Sequence, residues 1–181
     1  MKIRGALKNG MVVGSLLMVL FLAPAAYGQD FVFRGVKLGC SLKEQDKSLT
    51  FRKGASFDYD VDGLKDLGPG YMSSGHVDLI DGKVERFLMM FATANADEFS
   101  AMITEKYGKP KSITKNSMQT YGGAVLGAHI IYWQVKDVSV IMRSCSASDI
   151  RFGTLTVSTK KMNEHKAAEE KKAKKKAIGN L

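Results

Sequence analysis

YMSSGHVDLIDGKVERFLMMFATANADEFSAMITEKYGKP, Tyr71–Pro110, reads as strand, tight turn, strand and helix, and this stretch decides the fold. Asp81-Gly82 is a two-residue hairpin signal, because a type I′ turn needs positive φ at both central positions. The return run from Lys83 to Phe91 is rich in Val, Phe, Leu and Met, the composition of a buried strand. Asn95 stands where it can cap a helix running to Tyr107, with Asp97 and Glu98 in the positive first turn. Gly108 is expected to close that helix in the left-handed conformation, and Pro110 prevents its resumption. A hairpin with a helix across one face is a core nucleus and holds no catalytic constellation.

Outward from this nucleus the pattern stays antiparallel. Phe31–Val36 alternates as a first strand, and Ser41 with Glu44 is a capping-box pattern that predicts a short helix. Ser56–Val61 predicts a second strand, and Asp66–Gly70 a loop. Ser112–Tyr121 is polar enough for an edge strand, stopped by Gly122-Gly123. His129–Val135 and Val138–Arg143 predict a second hairpin across Lys136-Asp137, and Gly153–Thr159 a last strand. Beyond it, Lys161–Ala177 is built of strong helix formers with almost no apolar residue, the mark of a solvated helix. The fold class is therefore α+β: a mostly antiparallel β-sheet of hairpins, one main helix packed on a face, and a C-terminal basic helix.

The first 28 residues read as a leader. Lys2, Arg4 and Lys8 precede an apolar run from Met11 to Leu22, and Ala26-Tyr27-Gly28 supplies small residues for cleavage near Gly28. The expected product is periplasmic or secreted and without a transmembrane span after cleavage. No cysteine stands at the cleavage point to take a lipid anchor. The organisation is thus 1–28 signal peptide, 29–159 single domain and 160–181 basic tail. The formal charge of +9 is concentrated at the two ends. The leader carries three basic residues and the tail eight lysines against three glutamates, which leaves the body close to neutral.

Cys40 and Cys145 in an exported chain predict one disulfide, worth about 4 kcal/mol on a chain-entropy account; the alternative is two thiols. Asp58, Asp60 and Asp62, with Gly63 at position six, match the opening of an EF-hand-type calcium loop, and Asp66 at position nine could add an oxygen. Pro69 stands where the bidentate acid belongs. The competing reading is an alternating strand that points these aspartates outward. His76 and Asp78 would share a strand face and could orient an imidazole, the basis for an alternative reading as a small secreted hydrolase. His129 and His165 have no metal-ligand spacing, no Gly-x-Ser-x-Gly elbow occurs, and Ser144-Cys145-Ser146 lacks catalytic flanks. Lys171, Lys172, Lys174, Lys175 and Lys176 offer tail contacts to an anionic surface. The absence of interleaved aromatic residues argues against nucleic acid.

The run Phe33-Arg34-Gly35-Val36-Lys37-Leu38-Gly39 with Ser41 following, the Phe99-anchored helix ending Lys106-Tyr107-Gly108-Lys109-Pro110, and Trp133 in a hairpin resemble small exported proteobacterial proteins of uncharacterised function. More distantly they are similar to the BamE-like class of periplasmic α+β modules that support outer-membrane assembly. The resemblance implies no catalytic residues; no cofactor is expected, with calcium on the Asp58–Asp60–Asp62 pattern as the alternative. Export, a compact hairpin-rich body, the expected disulfide and the lack of a catalytic constellation together predict a non-catalytic accessory module that binds a protein partner in the cell envelope.

Overall fold

A computed structural model describes residues 31–64, 71–119, 123, 125–145 and 149–178, so the expected leader and Asp66 lie outside the described residues. Strands β1 (Val32–Phe33) and β2 (Val36–Lys37) form a small N-terminal hairpin. The main sheet holds β3 (Thr50–Lys53), β4 (Tyr59–Asp62), β5 (Tyr71–Ile80), β6 (Lys83–Ala92), β7 (Ser112–Gln119), β8 (Val125–Val135), β9 (Val138–Arg143) and β10 (Phe152–Thr159). Helix α1 spans Ala96–Tyr107 and α2 spans Lys160–Ile178. The architecture is α+β, with eight antiparallel strands in the order β3-β4-β5-β6-β10-β9-β8-β7. The last strand in sequence is thereby inserted at the centre, between β6 and β9.

At the β5–β6 turn both Asp81 and Gly82 have positive φ, 52° and 75°, as a primed hairpin turn requires. Beyond the turn the register slips: Asp78 faces Arg86 but Leu79 faces Val84, which leaves Glu85 as the extra residue of a bulge. At the bulge the adjacent Val84 and Glu85 are both buried, and Glu85 accepts a hydrogen bond from the Thr159 hydroxyl. Past it, Phe87, Met89 and Phe91 alternate onto the core face and are fully buried.

On that face α1 buries Ala96, Phe99 and Ile103, one stripe at helical spacing. Phe99 meets Phe91 with ring centroids 4.8 Å apart, and Phe33 of the N-terminal hairpin meets Phe87 at 5.8 Å. Trp133, Val140, Met142, Leu155 and Val157 continue the same buried layer across β8, β9 and β10. Two glycines make room for the rings. A Cβ on Gly153 would stand 2.6 Å from Phe91 Cε2 and 2.7 Å from the Arg143 carbonyl oxygen. One on Gly75 would stand 2.7 Å from Phe87 Cε2.

Several local expectations change. The single strand expected over Phe31–Val36 is the β1–β2 hairpin, because Arg34 and Gly35 both take positive φ, 52° and 90°, and reverse the chain. The expected helix after Ser41 is a single 3-10 turn, Leu42–Glu44, in which the Glu44 carboxylate accepts from the Ser41 amide at 2.8 Å and from its hydroxyl at 2.7 Å. The next stretch supplies β3, which pairs Phe51 with Val61. Asn95 holds the N-cap position of α1 after a 3-10 turn over Thr93–Asn95, but its side chain makes no capping bond. Gly108 ends α1 at φ 87°, ψ −175°, an extended mirror-image conformation open to glycine alone, while its amide donates to the Thr104 carbonyl.

The expected disulfide is not formed: Cys40 and Cys145 are not bonded to one another. Topology separates them. The Cys40 carbonyl accepts from the Val84 amide at the start of β6, whereas Cys145 follows β9 at the end where Arg143 pairs Thr154 and Thr154 pairs Met90. Val84 to Met90 along β6 is about 20 Å at strand rise. A disulfide needs Cα atoms within about 7 Å.

Candidate functional site

Asp58, Asp60 and Asp62 lie along β4 and just before it, so their side chains share a face at strand period two. Each is engaged separately. Asp58 accepts from the Leu79 amide at 2.7 Å, Asp60 Oδ1 accepts from His76 Nδ1 at 2.7 Å, and Asp62 pairs with Arg52. Among the described residues no group of three or more His, Cys, Asp or Glu side chains converges as a metal site. An extended strand spreads its carboxylates along its length, whereas a calcium loop wraps them round one point.

His76 does not pair with Asp78. The β4–β5 register sets it opposite Asp60, while Asp78 pairs with Arg86 on the far side. Phe57 is the hub: its ring stacks on the His76 imidazole with centroids 4.3 Å apart at 17°, and the Arg86 guanidinium lies 5.7 Å from its centre. The histidine side chain remains a third exposed on an open strand face. The geometry fixes the orientation of the imidazole on that face.

Row by row, the sheet face opposite α1 is more telling. Cross-strand register places Asp60, His76, Leu88, Thr156, Ile141, Tyr132 and Ser112 in a single line across β4, β5, β6, β10, β9, β8 and β7. Leu88, Thr156, Ile141 and Tyr132 are half-buried. Beside them Met90 and Ile130, also half-buried, flank Thr154 and the exposed Arg143. This face mixes apolar and hydroxyl side chains along its central strands, with Arg143 exposed among them and the His76–Asp60 pair at one side. Sequence pattern hides it, because the residues come from four strands that alternate with core positions.

The first turn of α2 is fastened to the sheet end. Thr159 Oγ1 accepts from the Met162 amide at 3.2 Å as an N-cap and also bonds Glu85. The Lys160 amide donates to the Asp137 carbonyl at 2.7 Å, Asn163 Nδ2 to Ser139 Oγ at 2.9 Å, and Lys161 pairs with Asp81 at 2.7 Å. Met162 is buried, and every residue from Ala167 to Ile178 is exposed. All five tail lysines therefore stand clear of the body.

The hydrogen bond from Lys161 holds the Asp81 carboxyl below its ordinary range, and the same bond raises Lys161. A lowered carboxyl contributes above its unfolded value, about 4, and that contribution is lost as pH falls through the folded value. The raised ammonium contributes below about 10.4, and its contribution is lost as pH rises through the folded value. A fluorescent label on α2 is thus expected to keep constant anisotropy from about pH 5 to 9 and to loosen in acid below about pH 4. Asp81→Asn should flatten that acid limb, and an unchanged limb would place the acid sensitivity elsewhere.

A recess of about 570 Å³ opens between the N-terminal hairpin and the end of α1, lined by Arg34, Lys37, Lys47 and Lys106 with Asp46 and Gln45. Gln45 shapes its wall by accepting from the Lys37 amide at 2.7 Å and donating to the Lys37 carbonyl at 2.9 Å. Lys106 lies 5.1 Å from the centre of the Tyr107 ring, whose phenol burial pushes up to about 12. Among the described residues no helix is long and apolar enough to cross a membrane. Comparison with protein-family models, curated proteins and solved structures returned no match.

Proposed function

We propose that this protein is a non-catalytic accessory module of the cell envelope, exported after loss of its leader, which binds a protein partner on the open face of its sheet. The observation that carries the reading is the line Leu88–Thr156–Ile141–Tyr132, half-buried apolar and hydroxyl side chains on rigid central strands with a polar rim. Protein interfaces desolvate a partly apolar centre on binding and keep a polar edge. The resemblance to BamE-like modules and the leader pattern support the envelope setting. The His76–Asp60 pair belongs to the rim of this surface, where an oriented imidazole adds a directional hydrogen bond.

A photo-crosslinker at Thr156 is expected to give one discrete adduct in the native envelope fraction, and the same group at exposed Glu98 on α1 none. Adducts of equal yield from both positions, or none from Thr156, would sink the reading. Ile141→Lys should abolish the Thr156 adduct, with thermal unfolding followed in parallel to show that the sheet is intact.

A further inference from the structure

We propose that α2 is a membrane-surface arm whose distal lysines bind the anionic face of a phospholipid bilayer, independently of whatever the sheet face binds. The arm begins where its anchor ends. Thr159, Lys161, Met162 and Asn163 fix the first turn to the body, and the twelve residues from Ala167 to Ile178 continue as exposed helix, about 18 Å at helical rise.

The five distal lysines share one broad side of the arm. At 3.6 residues per turn, Lys174, Lys171, Lys175, Lys172 and Lys176 fan across roughly 200° of the circumference. Met162, Lys166, Ala173 and Ala177 fall on the opposite side, which is the side buried at the anchor. Among the described residues none of the five distal lysines makes an ion pair; the helix pairs are Lys160–Glu164 and His165–Glu169, nearer the anchor. Lys175 and Lys176 also sit in the last turn, where the negative end of the helix supports their charge and keeps the tip helical without a partner.

The chemistry favours lipid over other polyanions. The cluster is all lysine, point charges with no planar fork for a fixed carboxylate pair, which suits a fluid array of phosphate headgroups. It has no aromatic ring to stack on a base. Its tip, Ile178, is 71 % exposed, an apolar side chain that an interface can take up and a nucleic-acid backbone cannot. The helix is otherwise too polar to insert, so binding is electrostatic and reversible.

The test uses protein purified from cells expressing the whole sequence and co-sedimented with phosphatidylcholine vesicles containing about 30 mol % phosphatidylglycerol. Binding is expected to the anionic vesicles and not to pure phosphatidylcholine, and to fall steeply as salt rises. Each lysine near an anionic surface is worth about a five-fold change in partitioning. Replacing Lys171, Lys172, Lys174, Lys175 and Lys176 by Gln, a comparable helix former, should therefore weaken binding at least about a hundred-fold. A second variant, Glu169→Gln with Glu170→Gln, should tighten it by about five-fold or more and keeps the test decisive if the first loses helix. Equal binding to neutral vesicles overturns the proposal, as does tight binding of the five-fold Gln variant with its helix intact. Indifference to vesicles combined with binding of a DNA duplex or of polyglutamate overturns it too, in favour of nucleic acid or an acidic protein.

Discussion

Gly153→Val is expected to lower the free energy of unfolding by about 3 kcal/mol, the upper part of the range for overpacking a filled core. Gly153 pairs with Phe91 across the β10–β6 ladder, and the Phe91 ring lies over the glycine. The ring cannot swing away, because Phe99 closes on it from α1 at 4.8 Å and Phe91 is fully buried. Nor can β10 move aside, since the Arg143 carbonyl on β9 would itself be 2.7 Å from the new Cβ. The contrast is Gly127→Ala on β8, where a Cβ meets nothing within 4 Å and a neutral or slightly favourable change is expected. Urea unfolding of both variants, with unchanged slope, measures the difference. A Gly153→Val midpoint equal to that of Gly127→Ala would mean the ring and the glycine are not stacked as described.

Phe99→Ala is expected to cost more, about 3–5 kcal/mol. Helix α1 has twelve residues and buries Ala96, Phe99 and Ile103, so the Phe99 ring is the largest side chain fastening it to the sheet. A helix that short is marginal alone and depends on tertiary contact. Losing the ring also leaves Phe91 without the tilted ring packed against it and opens a void in the core. Hydrogen exchange should show α1 amides losing protection first, with β6 and β10 protected until global unfolding. Retained α1 protection in the variant would show that Tyr107 and Ile103 hold the helix instead. Glu98→Ala, exposed one position away, should change stability little.

Local chemistry was legible and pairing was not. Asp81-Gly82, the alternating run to Phe91 and the helix to Tyr107 follow from turn sterics and side-chain period, and the structure places each where those rules do. The turn at Arg34-Gly35 escapes them because arginine seldom takes positive φ, so Phe31–Val36 reads as one strand. Strand β3 escapes because Thr50–Lys53 is short and polar, and gains its place only by pairing with β4. The insertion of β10 between β6 and β9 is a non-local choice that no window of sequence carries, and it is what sends Cys40 and Cys145 to opposite ends of the sheet. At the site, His76 and its acidic neighbours were visible, but spacing linked His76 to Asp78 whereas register gives it Asp60 and gives Asp78 to Arg86. The tail lysines were visible as composition. The anchor that holds them depends on Asp81, Glu85, Asp137 and Ser139, which belong to two distant hairpins.

The junction of β10 and α2 has a mechanical meaning. Lys160 follows Thr159 with no intervening linker, and β10 is laddered on both sides, to β6 from Phe152 to Ser158 and to β9 from Thr154 to Thr159. Tension applied through the arm runs lengthwise down this central strand, so the ladder bonds on both flanks resist together in shear instead of parting one after another. A body tethered by its C-terminal helix is thus held by the stiffest line in its sheet, and a tug on the tether is borne by the core before it can peel an edge.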